Sequence, residues 1–439
     1  MDERVRLLNS EPVRPGARYV LYWMRANRRA SHNHALAFAS QLANDRGLPL
    51  LCYESLDGNS NDRLCTFVLE GIPENARRLR ALGAGYVFSL SDALARLAAE
   101  AACVVTDDFP TLAAPTGLTA ACYGVDSSCI VPMSEIGGRQ YAAYAIRPKI
   151  RKLLPRHLAP VSPVQLRRSF PDRHFEFQTE VAEADIPGLV ASCDIDHSVP
   201  PSVSFHGGAA AAESRLEHFL VHNLHRYARH RNEPAAHATS EMSPYLHFGH
   251  ISALEVALRV KEHARRHKLI ADEFLEQLIV RRELAFNFAH YAARPDSLAE
   301  LPEWARGTLA RHAGDERPAV WSRDDFVQAR THDALWNATQ TEMLRRGVIH
   351  GYYRMYWGKK IVEWSASCGE ALATAIHIHD RFALDGRDPN TYANIMWCFG
   401  LHDRPWPERP VFGMVRTMTR AGLERKTDVE AYLREAGTA

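Results

Sequence analysis

The sequence predicts an N-terminal α/β domain with a parallel sheet and a C-terminal domain made only of α-helices. Two observations lead to this fold class. Up to residue 158, short apolar runs rich in β-forming residues alternate with segments of helical periodicity, which is typical of a parallel sheet covered on both faces. From residue 213 to residue 439, apolar side chains recur at helical spacing almost without interruption. Residues 159–212 hold many prolines and little periodicity, so we expect an interdomain linker there.

The β-α units of the first domain follow one another along the chain. We predict a strand in 18–24, a helix in 33–47, a strand in 48–56, a helix and a strand in 75–90, a helix, a strand and a polar turn in 97–110, and one more unit in 119–132. Asp107 and Asp108 follow one strand directly, at the edge where such sheets bind ligands. No GxGxxG motif is present in these units, so a standard dinucleotide site is not predicted there.

The second domain contains the clearest helical patterns of the chain. They lie in 213–230, 250–267, 271–292, 332–347 and 351–366. Five of the eight tryptophans fall between positions 336 and 406, and Trp357 and Trp364 share one helix face because they are seven apart. Such a cluster is either an aromatic core or a path for electrons, and its composition leaves both interpretations open.

The overall composition excludes several classes of protein. The 53 Lys and Arg residues balance 52 Asp and Glu residues, so any nucleic-acid binding has to come from a local basic patch. The eight cysteines form no CxxC pair or zinc spacing, and His218, His222 and His225 lack a carboxylate motif, so no metal site is predicted. With no signal peptide and no membrane-spanning run, we expect a cytoplasmic protein.

Two polar segments of the helical domain are candidates for chemistry. Thr239, Ser240 and Ser243 precede an apolar helix, where free N–H groups and hydroxyls suit a phosphate, although an ordinary helix cap explains them equally. Gln277 and Arg281 interrupt an apolar helix at i, i+4 and would share one face. They are either a surface pair or a polar stripe that reaches a ligand.

Two further segments lie towards the C-terminus. Three polar side chains occupy a Gly/Pro turn between helices: Asp385, Asp388 and Asn390. The segment 414–428 contains a basic set that either contacts phosphates or forms a solvated face: Arg416, Arg420, Arg425 and Lys426.

Taken together, these segments resemble the DNA photolyase/cryptochrome family, and most closely its class II cyclobutane pyrimidine dimer photolyases. The resemblance covers nearly the whole chain and keeps the order of the family's motifs. It rests on "YWMRANRRASHNHAL", "VVTDDFP", "YAIRPKIRKLLP", "TSEMSPYLHFG", "FLEQLIVRREL", "THDALWNATQTEM", "GYYRMYWGKKIVEW", "LDGRDPN" and "ERPVFGMVR".

The resemblance implies a Rossmann-like antenna domain at 1–158 and a helical FAD-binding catalytic domain at 213–439. It implies that excited FADH⁻ donates an electron to a pyrimidine dimer flipped out of UV-damaged DNA, and that the electron returns after the dimer splits. A second antenna chromophore, a deazaflavin or a folate, is possible in such proteins, and relatives suggest a monomer.

The resemblance also implies roles for individual residues. The diphosphate-binding loop matches Tyr227, Thr239, Ser240, Met242 and Ser243, and further flavin contacts match Gln277, Arg281, Asp388 and Asn390. Arg354 and Asp385 match a salt bridge beside the isoalloxazine. Met355 and Trp397 match residues that touch the flipped lesion. The photoreduction triad matches Trp357, Trp336 and Trp364, in that order from flavin to surface, whereas Trp406 is expected to be structural.

Two residues depart from the class II pattern. Gln277 stands where dimer photolyases usually carry a glutamate, and (6-4) photolyases tend to carry glutamine there. His379 stands where class II members often carry the asparagine that faces flavin N5, and a histidine there would alter proton supply. Repair of (6-4) photoproducts, or of both lesions, therefore stays open, although the residues before Arg354 do not match the tandem histidine of animal (6-4) enzymes. A cryptochrome-like photoreceptor is a third possibility, disfavoured because no long extension follows the last helical segment.

Overall fold

A computed structural model of the chain describes residues 3–56 and 60–438. Within these ranges, a six-stranded sheet occupies the first part of the chain and helices make up most of the rest. The strands are β1 Val5–Leu7, β2 Tyr19–Met24, β3 Leu50–Ser55, β4 Gly85–Ser89, β5 Ala101–Asp107 and β6 Cys122–Val125. The predicted fold class is confirmed.

The strand order in the sheet is β1-β6-β5-β2-β3-β4, and all neighbours except β1 and β6 run parallel. The parallel strands β2 to β6 coincide with the predicted ones, because strands buried in a parallel sheet consist of continuous apolar runs that can be recognised in the sequence. The antiparallel β1 was not predicted. It has three residues and lies half exposed at the edge, so it leaves no pattern in the sequence.

The helices of the first part cover both faces of the sheet. They are α1 His34–Asp45, α2 Asp62–Leu69, α3 Ile72–Ala81, α4 Leu94–Glu100, α5 Met133–Ile136, α6 Ala143–His157 and α7 Ile186–Ala191. Helix α7 lies inside the predicted linker, packs against α2, and follows a stretch that runs along the β4 edge. There the Phe170 and Thr179 amides donate to Gly83 O and Phe88 O, both at 2.8 Å. The segment 159–212 is thus packed onto the sheet, and its limits as a linker stay a prediction.

The remaining helices form the second part. They are α8 Ala209–His222, α9 Leu224–His230, α10 Ser243–His247, α11 Ala253–His267, α12 Asp272–Leu275, α13 Arg282–Tyr291, α14 Glu303–Arg311, α15 Arg323–Val327, α16 Ala334–Arg346, α17 Gly351–Trp364, α18 Cys368–Phe382, α19 Pro389–Trp397, α20 Arg420–Glu424 and α21 Val429–Thr438. The predicted helix 213–230 is divided at Asn223, and a π-helical segment, Glu276–Arg281, joins α12 to α13. None of the helices in the described ranges is both long and apolar enough to cross a membrane.

The carboxyl edge of the sheet is used to join the two parts of the molecule. Asp107, at the switch point between β2 and β5, accepts the backbone N–H groups of Arg25, Ala26 and Asn27 at 2.7–3.0 Å. The loop held in this way abuts Gly249 (φ +71°), where a Cβ would lie 2.0 Å from Ala26 O. Asp107, which the sequence placed at a possible ligand edge, therefore fixes a loop of the protein itself, while Asp108 pairs with Arg6 at 2.8 Å.

Candidate active site

A cavity of about 920 Å³ lies among the helices of the second part. Its volume falls in the range of cofactor sites. Most of the residues that the sequence singled out line it: Tyr227, Thr239, Ser240, Met242, Ser243, Gln277, Arg354, Met355, Trp357, His379, Asp385, Asp388 and Asn390. Segments more than 150 residues apart in the chain thus meet at one cavity, although what each residue does there stays a prediction.

An ion pair between Arg354 and Asp385 lies in the wall of this cavity. Both terminal guanidinium nitrogens of Arg354, from α17, lie 3.0 Å from Asp385 Oδ2. Burial alone would raise the pKa of Asp385, but the guanidinium overrides it and the pKa falls to about 2. Arg354 Nε is buried without a hydrogen-bond partner among the described residues, so this pair has polar capacity left for a ligand.

Asp388 has a structural part in the same wall. Its Oδ1 accepts the Asn390 N–H at 2.8 Å and so caps the N-terminus of α19. Its Oδ2 lies 3.1 Å from His247 Nδ1, which joins α19 to α10. The turn that the sequence indicated is therefore also a helix start, and it fixes Asn390 at the cavity.

His379, on α18, is buried in the cavity wall and neutral. Burial lowers the pKa of its imidazole to about 3, and the nearby Arg354 charge acts in the same direction. The Thr391 hydroxyl donates to Asp385 O at 2.6 Å and lies 3.4 Å from His379 Nδ1. Since that hydroxyl proton is already used, Nδ1 is the donor of this weak contact and Nε2 keeps its lone pair. His379 Nε2 is buried and has no partner among the described residues.

The polar stripe in 276–284 differs from the prediction. Gln277 and Arg281 were expected to share a face, but the helix is π-helical here, so residues five apart align instead of four. Gln277 and Arg282 line the cavity, whereas Arg281 is 53% exposed and lies 3.8 Å from Glu276. Arg281 is therefore not among the residues that line the cavity, Arg282 lines it instead, and a cofactor contact by Arg281 stays a prediction.

The other polar residues of this stripe attach the helical part to the sheet. Glu283 is fully buried, with its pKa raised to about 8 by burial, and accepts the Ile130 N–H at 2.7 Å. Arg282 donates to Ser128 O at 2.8 Å. Arg282 thus connects the cavity wall to the loop that follows β6.

Two tryptophans lead away from the cavity. Trp357 forms part of the wall, and the ring of Trp336 stacks behind it with 6.3 Å between ring centroids and 8° between planes. Trp336 Nε1 donates to Trp357 O at 3.0 Å, and Trp357 Nε1 donates to Gln340 Oε1 at 2.9 Å. Trp364 was expected at the surface end of this series, but it is only 2% exposed because neighbouring loops cover it.

The two residues expected to touch a lesion lie in different surroundings. Met355 lines the cavity, whereas Trp397 lies outside it, partly exposed, next to the cavity residue Cys398. The ammonium of Lys359 lies 4.6 Å from the Trp397 ring centroid and donates to Cys398 O at 2.7 Å. Lys359 is fully buried, which lowers its pKa to about 8, and the sequence reasoning missed it because its neighbours in "WGKKI" read as an ordinary amphipathic helix.

The four basic residues near the C-terminus do not form one free patch. Arg416 pairs with Asp403 at 3.0 Å and its guanidinium lies 4.2 Å from the Trp406 ring centroid. Arg420 forms ion pairs with three carboxylates: Glu424 of α20, Glu430 of α21 and Asp333, the N-cap of α16. Only Arg425 and Lys426 of the set lie fully on the surface, so local acidic partners offset half of the predicted basic charge.

One further cavity residue, His350, was assigned no role from the sequence. His350 caps the N-terminus of α17 by accepting the Tyr352 N–H at 3.2 Å, and burial lowers its pKa to about 4. Within the same ranges, no three His, Cys, Asp or Glu side chains are grouped so that they could hold a metal ion.

Comparison with known proteins gives full-length relatives. The chain is 39% identical to the deoxyribodipyrimidine photo-lyase of Methanothermobacter thermautotrophicus, over 98% of this chain and 97% of that protein. It is 37% identical to the enzyme of the same name from Oryza sativa (98% and 89%) and 34% identical to that from Potorous tridactylus (100% and 85%). No protein-family model matches the chain.

Solved structures share the architecture at low identity. A bacterial class III photolyase from Agrobacterium tumefaciens superposes with a TM-score of 0.69 at 17% identity, covering 97% of this chain and 88% of that one. A Synechocystis cryptochrome gives 0.71 at 16%, covering 96% and 89%. At this identity the superpositions speak for the fold alone.

Proposed function

This chain belongs to the deoxyribodipyrimidine photo-lyase family, and from that premise we propose that it repairs cyclobutane pyrimidine dimers in UV-damaged DNA by using light and a bound flavin. The chain spans 85–97% of the length of these three relatives. The observation that carries the proposal is the stacked pair of Trp357 and Trp336, which begins in the wall of the large cavity.

The residues of the cavity fit FAD. Its volume of about 920 Å³ suits a dinucleotide, and two buried polar atoms in its wall have no hydrogen-bond partner among the described residues: Arg354 Nε and His379 Nε2. The hydroxyls of Thr239, Ser240 and Ser243 would hold its diphosphate. When bound and reduced, FAD supplies the light-driven electron that splits the dimer.

The protein's own groups would orient the flavin and control its surroundings. The Arg354–Asp385 pair keeps one fixed positive and one fixed negative charge in the wall, with Asp385 ionised at neutral pH. His379 stays neutral and presents an acceptor nitrogen to the cavity. Apolar side chains such as Leu278 and Ile395 line other parts and exclude water, which strengthens these interactions.

Repair and photoreduction can be tested on the purified protein. Reconstituted with FAD and reduced, it should restore a defined dimer-containing oligonucleotide under blue light and not in the dark. Trp357→Phe should bind FAD but lose most photoreduction of oxidised flavin. Trp304→Phe is a matched control, since Trp304 is partly exposed and lies outside the cavity. A protein that cannot be loaded with FAD would overturn the proposal.

A second candidate function is repair of (6-4) photoproducts. It is favoured by Gln277, a glutamine in the cavity wall, and by two buried neutral histidines there, His379 and His350. The same assay with a (6-4) oligonucleotide separates the two. If neither lesion is repaired at full flavin reduction, a photoreceptor function leads instead.

A further inference from the structure

The buried position of Trp364 raises the question of where an electron vacancy would leave the protein. Trp364 is 2% exposed, so solvent reductants do not reach its ring. The imidazole of His332 packs on Trp364 at 4.6 Å between centroids, and the indole of Trp321 lies 6.0 Å from the His332 ring between centroids, with 25° between the ring planes. The backbone N–H of Trp321 also donates to Trp364 O at 2.9 Å, which fixes the two residues to each other. Trp321 is partly exposed and His332 is exposed.

The hydrogen bonds of the indole groups distinguish Trp321 from the inner tryptophans. Trp357 Nε1–H donates to an amide oxygen of Gln340, and Trp336 Nε1–H donates to a backbone carbonyl. Neither oxygen is a base that can take a proton. Trp321 Nε1 instead lies 3.3 Å from His332 Nδ1, and since an indole N–H only donates, Nδ1 is the acceptor. An imidazole nitrogen can accept a proton near neutral pH.

A positive charge also lies beside Trp364. The Lys360 ammonium lies 5.2 Å from the Trp364 ring centroid. In the resting protein this contact is attractive, but a ring that has lost an electron would be repelled by the ammonium, and the carboxylate of Glu363, which pairs with Lys360, offsets only part of that repulsion. The electron vacancy is therefore favoured on Trp321, because loss of the indole proton there removes the positive charge.

We propose that Trp321 and His332 form the terminal electron donor and proton acceptor of the tryptophan series. This inference rests on the proposed function. An electron passes from Trp321 to oxidised Trp364, which becomes neutral again. The Nε1–H bond of Trp321 breaks, its proton forms an N–H bond at His332 Nδ1, and a neutral Trp321 radical remains. An external thiol then returns one hydrogen atom equivalent to Trp321, and His332 releases its extra proton to water.

Time-resolved absorption of the FAD-loaded protein after a flash tests the pair. In Trp321→Phe, which keeps an aromatic ring on His332, the long-lived tryptophan radical should fall severalfold in yield and lose its slowing in D₂O. In His332→Phe the radical should persist as the cation and recombine faster. Trp304→Phe, which changes a partly exposed tryptophan of α14, should behave as wild type. Equal flavin content and circular dichroism check that each variant is folded.

A chemical readout identifies the residue itself. After long illumination in air without thiol, peptide mapping by mass spectrometry should find oxidation at Trp321 in preference to the buried Trp364. The proposal is overturned if Trp321→Phe retains wild-type radical yield and isotope sensitivity, or if oxidation maps to Trp364. If wild-type protein carrying FAD forms no tryptophan radical, the fault lies in the proposed function and not in the terminal pair.

Discussion

The Arg354–Asp385 ion pair allows a quantitative test of how the cavity wall is held together. The pKa of Asp385 falls from its ordinary value of 3.8 to about 2 even though burial opposes the shift. Each pKa unit corresponds to about 1.36 kcal/mol, so the folded protein favours the ionised carboxylate by about 2.5 kcal/mol. Asp385→Asn keeps the shape of the side chain and removes this charge. Because Arg354 is still 16% exposed, we expect a loss of about 2–3 kcal/mol rather than the larger cost of a fully buried pair.

Urea unfolding of the flavin-free protein, followed by tryptophan fluorescence, measures this loss. The stabilisation is fully present above pH 3.8, where the unfolded carboxyl is ionised, and is lost only as the pH falls through about 2. The difference between wild type and Asp385→Asn should therefore stay constant between about pH 5 and pH 8. A double-mutant cycle with Arg354→Met isolates the pair. A coupling energy between Arg354 and Asp385 below about 0.5 kcal/mol would refute the reasoning, because even solvent-exposed ion pairs contribute that much to stability.

Three further predictions follow from the described contacts. Arg282→Ala should weaken FAD binding at least severalfold in a fluorescence titration, whereas Arg281→Ala should not, and the reverse result would contradict the π-helical register. His379, neutral when folded and protonated when unfolded below about pH 6.5, should make stability fall with decreasing pH by about 1.4 kcal/mol per pH unit down to its folded pKa of about 3. In urea titrations His379→Asn should remove that slope, and an unchanged slope would be evidence against a neutral His379. Arg416→Ala should lower the slope of the logarithm of the DNA-binding constant against the logarithm of the salt concentration by less than one phosphate contact contributes, because Asp403 already pairs with Arg416. A decrease as large as the contribution of a full contact, or larger, would show that Arg416 binds phosphate directly.

Most of the fold could be predicted from the sequence, because the parallel strands and long helices have strong hydrophobic patterns. The three-residue strand β1 and the packed stretch along β4 have no such pattern, and tertiary contacts define them. The π-helical segment was hidden because apolar residues in "LIVRREL" fit α-helical spacing equally well. Residues five apart align in a π-helix instead of four apart, and this difference places Arg282 at the cavity instead of Arg281.

The candidate site likewise has one part that could be predicted from the sequence and one part that is defined by tertiary contacts. The residues that line the cavity could be found from motifs, because each motif is local in sequence. Contacts between loops could not: Trp321 lies outside every predicted helical pattern and His332 is only the first residue of one, yet the two are neighbours in space and cover Trp364. The expectation that Trp364 lies at the surface end of the series came from the family resemblance, which does not describe these loops.

The measurement that tests the account most directly is lesion-specific repair by the purified, FAD-loaded and reduced protein. We predict that a cyclobutane pyrimidine dimer in a defined oligonucleotide is split under blue light, that no repair occurs in the dark, and that a matched (6-4) oligonucleotide stays unrepaired. If the dimer persists at full flavin reduction while bound to the protein, or if only the (6-4) lesion is repaired, the central claim is contradicted.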